Sequence, residues 1–172
     1  MRYLVLAVCV FTTACSGEMT DSLTSPTRVT VESTQTQQRG GERVPFHGSL
    51  QAVEADVVVP PSLQVNGTAT GTGTHLGRFT ATFTATVTLA TGASTGSIEF
   101  IAANGDRLNA TFVGQGTPTT EPGVVSIEEV ATITGGTGRF ADTAGKFTIL
   151  RVLNQATGVS SGSFDGSINL HG

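Results

Sequence analysis

Glu129 and Arg151 are the residues whose types and spacing best suit chemistry inside a folded domain. Glu129 alternates with apolar residues at positions 125, 127, 131 and 133, and Arg151 with apolar residues at 147, 149 and 153. If those phases face inward, a carboxylate and a guanidinium meet in an apolar lumen, where buried charges occur in pairs. Such a pair could orient a polar group of a ligand or raise a carboxyl pKa for acid–base chemistry.

In both strands the residues of the opposite phase could face the interior instead. In the strand of Arg151 that phase holds Leu150 and Val152, and Glu128 directly precedes Glu129. Because charged side chains are mostly exposed in folded proteins, we favour the interpretation in which Glu129 and Arg151 face solvent. The polar pair in the lumen is the alternative.

The other reactive residues form no recognisable catalytic or metal-binding pattern. His47, His75 and His171 lie far apart, with no pair at metal-ligand spacing. No serine lies in a nucleophile-elbow pattern. No cysteine follows Cys15, so a domain beyond it can form neither an internal disulfide nor a thiolate metal site. We therefore predict no catalytic residue, no metal and no cofactor.

Alternation with period two, from Val44 onward, predicts the strands that would position these side chains. In residues 79–89 every odd position is apolar and every even position is threonine, so we expect the odd positions, Phe79 to Leu89, to face inward. Turn signals such as Pro60-Pro61 and Asn104-Gly105 separate the segments. They predict about eight strands, near 44–55, 62–70, 76–90, 95–103, 107–115, 123–134, 145–155 and 159–170.

Eight sequential antiparallel strands can close into a barrel with a filled interior and no exposed edges. We therefore predict an all-β antiparallel barrel over residues 43–172, with a two-sheet sandwich as the alternative architecture.

A glycine-rich run suggests a family for this barrel. Residues 133–140, ITGGTGRF, followed by residues 144–147, AGKF, resemble the signature of the allene oxide cyclase and dirigent protein superfamily. There a strand runs into Gly-Gly-Thr-Gly-(Arg/Lys)-Phe and returns through Ala-x-Gly. The resemblance implies a barrel that binds a small apolar molecule in its lumen. It also implies a homo-oligomer, since many members of the superfamily are trimers.

Five residues of this run match the family's structural motif: Gly135, Gly136, Gly138, Phe140 and Gly145. We expect the glycines to make a tight connection with positive φ, and Phe140 to plug one end of the barrel. A phosphate-binding loop is not expected here, because it needs a following long helix and residues 142–145 leave room for one helical turn at most.

The N-terminus is typical of an exported protein. Residues 1–14 comprise a positive start, a short apolar run and small residues before Cys15. The run is shorter than the roughly 20 apolar residues that span a bilayer. Residues 13–16, TACS, resemble the lipobox of bacterial lipoproteins, in which the cysteine carries the lipid. An ordinary secretory signal, cut near Ala14 or Ser16, is the alternative.

The lipobox resemblance implies a signal peptide over residues 1–14 and a lipid on Cys15 that binds the membrane. It also favours the outer membrane, because Ser16 stands where an aspartate would favour retention in the inner membrane. Residues 15–42 contain few apolar side chains, and we predict a flexible tether there. The net charge of −4 argues against a nucleic-acid partner.

Together these features predict a lipid-anchored barrel of the cell envelope that binds a small apolar ligand or serves an envelope role, without catalysis. A cyclase or isomerase that uses the lumen as a template is one alternative, and a structural or adhesion module is another. A cavity of several hundred Å³ would favour a ligand site over a structural module. Paired ionisable groups lining the lumen would favour the enzyme.

Overall fold

The computed structural model of the protein describes residues 41–170. They form eight strands and a short 3₁₀ helix, Gly138–Phe140, between the sixth and seventh strands. The strands are β1 (Glu42–Val59), β2 (Ser62–Gly73), β3 (Gly77–Thr88), β4 (Ala93–Ile101), β5 (Arg107–Pro118), β6 (Val124–Gly136), β7 (Ala144–Asn154) and β8 (Val159–Leu170). The all-β prediction and the number of strands are confirmed. In these residues no helix is long and apolar enough to cross a membrane.

The sheet closes on itself. Each strand pairs antiparallel with the next, and β8 returns to pair with β1 from Glu42–Leu170 to Val53–Val159. The alternative of a two-sheet sandwich is therefore wrong. Closure gives the first and last strands the hydrogen-bond partners that an open sheet would leave unpaired at its edges.

The antiparallel order divides the turns between the two ends of the barrel. The turns at 60–61, 89–92, 119–123 and 155–158 lie at one end, here called the mouth. The turns at 74–76, 102–106 and 137–143 lie at the other end, the base. The start of β1 and the end of β8 are also at the base, so the chain enters the barrel there.

Aromatic side chains fill the half of the barrel nearer the base. Neighbouring rings lie with their centroids 4.9–6.5 Å apart and mostly edge to face, an arrangement that aromatic pairs prefer. These rings belong to Phe46, Phe79, Phe100, Phe147 and Phe164. Phe140, on the 3₁₀ helix, is fully buried and closes the base, as expected of a plug.

The threonine-rich strand follows its alternation closely. Phe79, Ala81, Phe83 and Ala85 are buried, whereas the threonines between them are exposed. The prediction is wrong for Leu89, which is half-exposed. The reason is that β3 ends at Thr88, so Leu89 belongs to a turn at the mouth.

The glycine motif makes the expected tight connection, with one correction. Gly135, Gly138 and Gly145 have positive φ values of 129°, 56° and 154°, and Gly135 lies at a β-bulge between β5 and β6. Gly136 does not have a positive φ. Glycine is needed at position 136 because the backbone of Arg107 lies so close that a Cβ would collide with its carbonyl oxygen.

The predicted signal peptide and Cys15 lie outside the described residues, as does nearly all of the predicted tether, 15–42. The described chain joins β1 at Glu42, one residue before the predicted start of the domain at 43.

Candidate functional site

The half of the barrel nearer the mouth encloses a cavity of about 390 Å³. Its walls are mainly apolar and come from β2, β3, β6 and β7: Leu63, Val65, Ala85, Val87, Val125, Ile127 and Leu153. The mouth turn at 89–92 lies at its rim. The volume falls within the range of small-molecule sites, roughly 300–1,000 Å³. The lumen is thus packed at the base and hollow at the mouth.

Glu129 and Arg151 both line this cavity and are buried, at 4% and 7% exposed. Arg151 donates from Nε to Glu129 Oε2 at 3.3 Å and from Nη2 to Oε1 at 3.2 Å, a bidentate pair. The favoured interpretation, in which both residues face solvent, is therefore wrong. Leu150 and Val152, the apolar residues of the competing phase, are the ones about half exposed.

A second carboxylate completes the charge network. Arg151 Nη1 donates to Glu54 Oε2 at 2.6 Å and to Ser160 Oγ at 3.2 Å. The side chain of Glu54 is only 3% exposed. The buried guanidinium thus has two carboxylate partners and a hydroxyl, and this compensation lets the charges lie inside an otherwise apolar barrel.

Glycines on neighbouring strands make room for the network. Gly114 lies opposite Glu129 in the β5–β6 ladder, and Gly162 lies opposite Arg151 in the β7–β8 ladder. A Cβ at Gly114 would lie 2.7 Å from Glu129 Cγ, and one at Gly162 would lie 2.8 Å from Arg151 Cβ. Larger residues at either position would push the charged side chains aside.

Asp56 adds a third carboxylate to the cavity wall, two residues beyond Glu54 on β1 and closer to the mouth. Within the described part of the chain its carboxylate accepts no hydrogen bond. Burial raises the pKa of Asp56, while the charge of Arg151 lowers it by a smaller amount.

The two other shifted pKa values show how burial and charge compete in the network. Burial has the largest single effect on the pKa of Glu54 and raises it, Arg151 lowers it through its charge and its hydrogen bond, and the neighbouring charges of Asp56 and Glu129 raise it, so the net shift is upward. Burial lowers the pKa of Arg151, but Glu129 and Glu54 outweigh this effect and raise it, so Arg151 stays cationic. The cavity therefore combines a fixed cation with carboxyl groups that hold their protons more strongly than usual.

Sequence reasoning missed Glu54, Asp56 and Ser160. The sequence did hold a clue to Glu54, because it alternates in phase with the apolar residues Leu50 and Ala52 and therefore lies on the same face of β1. The opposite face of the strand carries Val53 and Val57, which are as apolar but exposed. Alternation alone therefore could not show which face of β1 points inward.

The described histidines, for which the sequence predicted no site, do not line the cavity. His47 and His75 are in the half of the barrel nearer the base, and His171 falls outside the described residues. Across residues 41–170, no cluster of three or more His, Cys, Asp or Glu side chains is arranged to hold a metal ion.

The chain was compared with models of protein families, with curated proteins and with solved structures, and none of these comparisons finds a match. What the site can do is therefore inferred from its own residues. They provide a mainly apolar wall, a compensated ion network and, at Asp56, an exposed carboxylate near the mouth.

Proposed function

We propose that the protein is a lipid-anchored β-barrel of the cell envelope that binds a small apolar ligand in the cavity at its mouth, without catalysis. The cavity of about 390 Å³ carries this proposal, because its walls are apolar while the rest of the lumen is packed. A filled core would favour a structural or adhesion module, whereas a mainly apolar cavity of this volume is typical of a small-molecule site. The cavity therefore favours ligand binding over that alternative.

Ligand binding can be tested with N-phenylnaphthylamine, a neutral dye whose fluorescence rises in apolar surroundings. Val87 is half-buried at the mouth and lines the cavity, so Val87→Trp should block the site. Thr82 lies on the same strand but faces solvent, so Thr82→Trp adds the same bulk outside. We expect saturable binding by the parent and by Thr82→Trp, and its loss in Val87→Trp. Equal binding by both variants, or none by the parent, would contradict the proposal.

The envelope location is supported by the signal-like residues 1–14 and the lipobox-like residues 13–16. We expect Cys15→Ala to move the protein from the detergent phase to the aqueous phase without unfolding the barrel. A mass spectrum that shows an unmodified mature N-terminus would refute lipid anchoring.

A cyclase or isomerase is the second candidate, and one observation favours it. Glu54 and Asp56 have raised pKa values beside a fixed cation, a combination that suits general acid catalysis. The two functions differ in the fate of the compounds that co-purify with the barrel. A binding protein returns them unchanged after incubation. An isomerase would change their chromatographic retention at constant mass, and Glu54→Gln would abolish the change.

A further inference from the structure

We infer that the cavity selects ligands whose apolar body ends in a cationic head, such as a primary amine, over carboxylates of the same length. This inference rests on the proposed function and names the chemical class of its ligand. Three observations carry it: the hydrogen bonds of Arg151, the carboxylate oxygens that remain without partners, and the distribution of charge between mouth and base.

Arg151 offers little to an anionic ligand. Among the residues that line the cavity it is the one lysine or arginine. Its Nε and Nη2 both donate to Glu129, and its Nη1 donates to Glu54 and Ser160. A guanidinium has five N–H donors, so four are already in use. A ligand carboxylate could accept from the one remaining N–H, but to pair with the guanidinium through both oxygens it would have to displace Glu54 or Glu129 and strand that buried carboxylate, which is strongly unfavourable.

The acceptors of the cavity are less fully used. Glu54 accepts from Arg151 through Oε2, and within the described residues its other oxygen, Oε1, accepts no hydrogen bond. Asp56 is closer to the mouth, is exposed to solvent, and makes none with its carboxylate in the same part of the chain. When ionised, Glu54, Asp56 and Glu129 outnumber the single positive charge of Arg151. An ammonium group beside Asp56 would offset this excess negative charge and could donate to the solvent-accessible oxygens of Asp56 and Glu54.

Charge is also divided unevenly between the two ends of the barrel. In the described chain every lysine and arginine other than Arg151 lies in the half nearer the base: Arg43, Arg78, Arg107, Arg139 and Lys146. The turns at the mouth carry one charged residue, Glu121. The opening of the cavity is therefore negative, and a cleft lined by one sign of charge concentrates ligands of the opposite sign.

The test uses three ligands with the same apolar chain: octylamine, octanol and octanoate. Each displaces N-phenylnaphthylamine from the protein at neutral pH and constant salt, which gives its dissociation constant. We expect octylamine to bind at least about tenfold more tightly than octanoate, a difference of about 1.4 kcal/mol, with octanol between them. Octanoate that binds as tightly as octylamine would overturn the inference.

Two matched variants locate the source of the preference. Asp56→Asn removes a carboxylate from the cavity wall, so the ratio of octylamine affinity to octanol affinity should fall. Glu128→Gln removes the same charge from the exposed outer face of β6 and should leave the advantage intact. An advantage that survives Asp56→Asn undiminished would refute the assignment. If the dye itself does not bind the parent, the proposed function fails too; if the dye binds but the three ligands displace it equally or not at all, only this inference fails.

Discussion

Arg151 Nη1 lies 2.6 Å from Glu54 Oε2, although 97 residues separate them in the chain. The two residues lie on β7 and β1, the strands that flank β8, and β8 carries the small residues Ser160 and Gly162 on its inward face at this level. Glu129 joins the network from β6. The ion network therefore ties together four strands at the boundary between the packed half of the barrel and the cavity.

The network should be sensitive to the loss of its cation. Arg151→Met leaves Glu54 and Glu129 buried without a counter-charge, and we expect it to lower the free energy of unfolding by about 3–5 kcal/mol in urea denaturation. Arg107→Met is the matched control, because Arg107 pairs with Glu99 at an exposed site and should lose at most about 1 kcal/mol. If the triple variant Glu54→Gln, Glu129→Gln, Arg151→Met is no more stable than Arg151→Met, the stranded charges are not the cause.

The inward and outward faces of β3 provide a second test. Ala81 is buried in the packed half of the barrel, whereas its neighbour Thr80 is exposed. Ala81→Asp places an uncompensated charge inside and should destabilise the barrel by more than about 3 kcal/mol. Thr80→Asp should change the free energy of unfolding by less than about 0.5 kcal/mol. Equal losses in chemical denaturation would mean that both faces of β3 are covered, as at an interface between subunits.

Much of the fold could be predicted from the sequence, because strands and turns are local features. From Thr80 to Thr88 the outer face of β3 is all threonine, so alternation there indicated both the strand and its inward face. In β7 and β1 both faces are apolar, since Leu150, Val152 and Val53 are exposed. Alternation then cannot choose a face, and the interior position of Arg151 remained undetermined.

The site as a whole depends on information that no local pattern holds. Glu54 meets Arg151 only because closure of the barrel brings β1 beside β8. Between them β8 has Gly162, which carries no side chain that would separate the two residues. The register of two ladders decides this contact. Sequence reasoning could therefore propose the pair of Glu129 and Arg151, but it could not find their third partner.

The plug at the base gives a third prediction. Phe140 is fully buried, so Phe140→Ala should leave a cavity and lower the free energy of unfolding by about 3–5 kcal/mol. Leu150→Ala removes a comparable apolar side chain from the exposed outer face and should have little effect. Denaturant titration distinguishes the two, and similar losses for both would show that Phe140 does not plug the base.

The glycines that flank this plug should behave as structural residues. Gly138 and Gly145 have positive φ values of 56° and 154°, so valine at either position should be strained and destabilise the barrel by about 1–3 kcal/mol. Phosphate should not raise the melting temperature of the parent, because the connection has no long helix to bind an anion. Parent-like stability in both variants, together with a phosphate-dependent shift in the parent, would instead indicate a binding loop.

The raised pKa of Glu54 predicts how the stability of the barrel depends on pH. Burial and the charges of Asp56 and Glu129 together outweigh the attraction of Arg151, so folding favours the protonated carboxyl relative to its ordinary pKa of 4.5. The contribution of Glu54 to stability is therefore fully present below that value and is lost as the pH rises through the raised pKa. Glu54→Gln keeps the shape of the protonated side chain but cannot ionise. We expect parent and variant to be similarly stable near pH 4, and the variant to be the more stable at neutral pH.

Urea denaturation between about pH 4 and about pH 8 measures this difference. Glu128→Gln, on the exposed face of β6, gives the baseline for removing one negative charge from the barrel. Asp56, Glu129 and Arg151 are the charged groups that act on Glu54, and they are unchanged in both variants. If the parent instead gains stability over Glu54→Gln as the pH rises, the ion pair with Arg151 outweighs burial. Glu54 would then stay ionised and stabilise the barrel through its ion pair with Arg151. It would not serve as a general acid, and the observation that favours an isomerase would no longer hold.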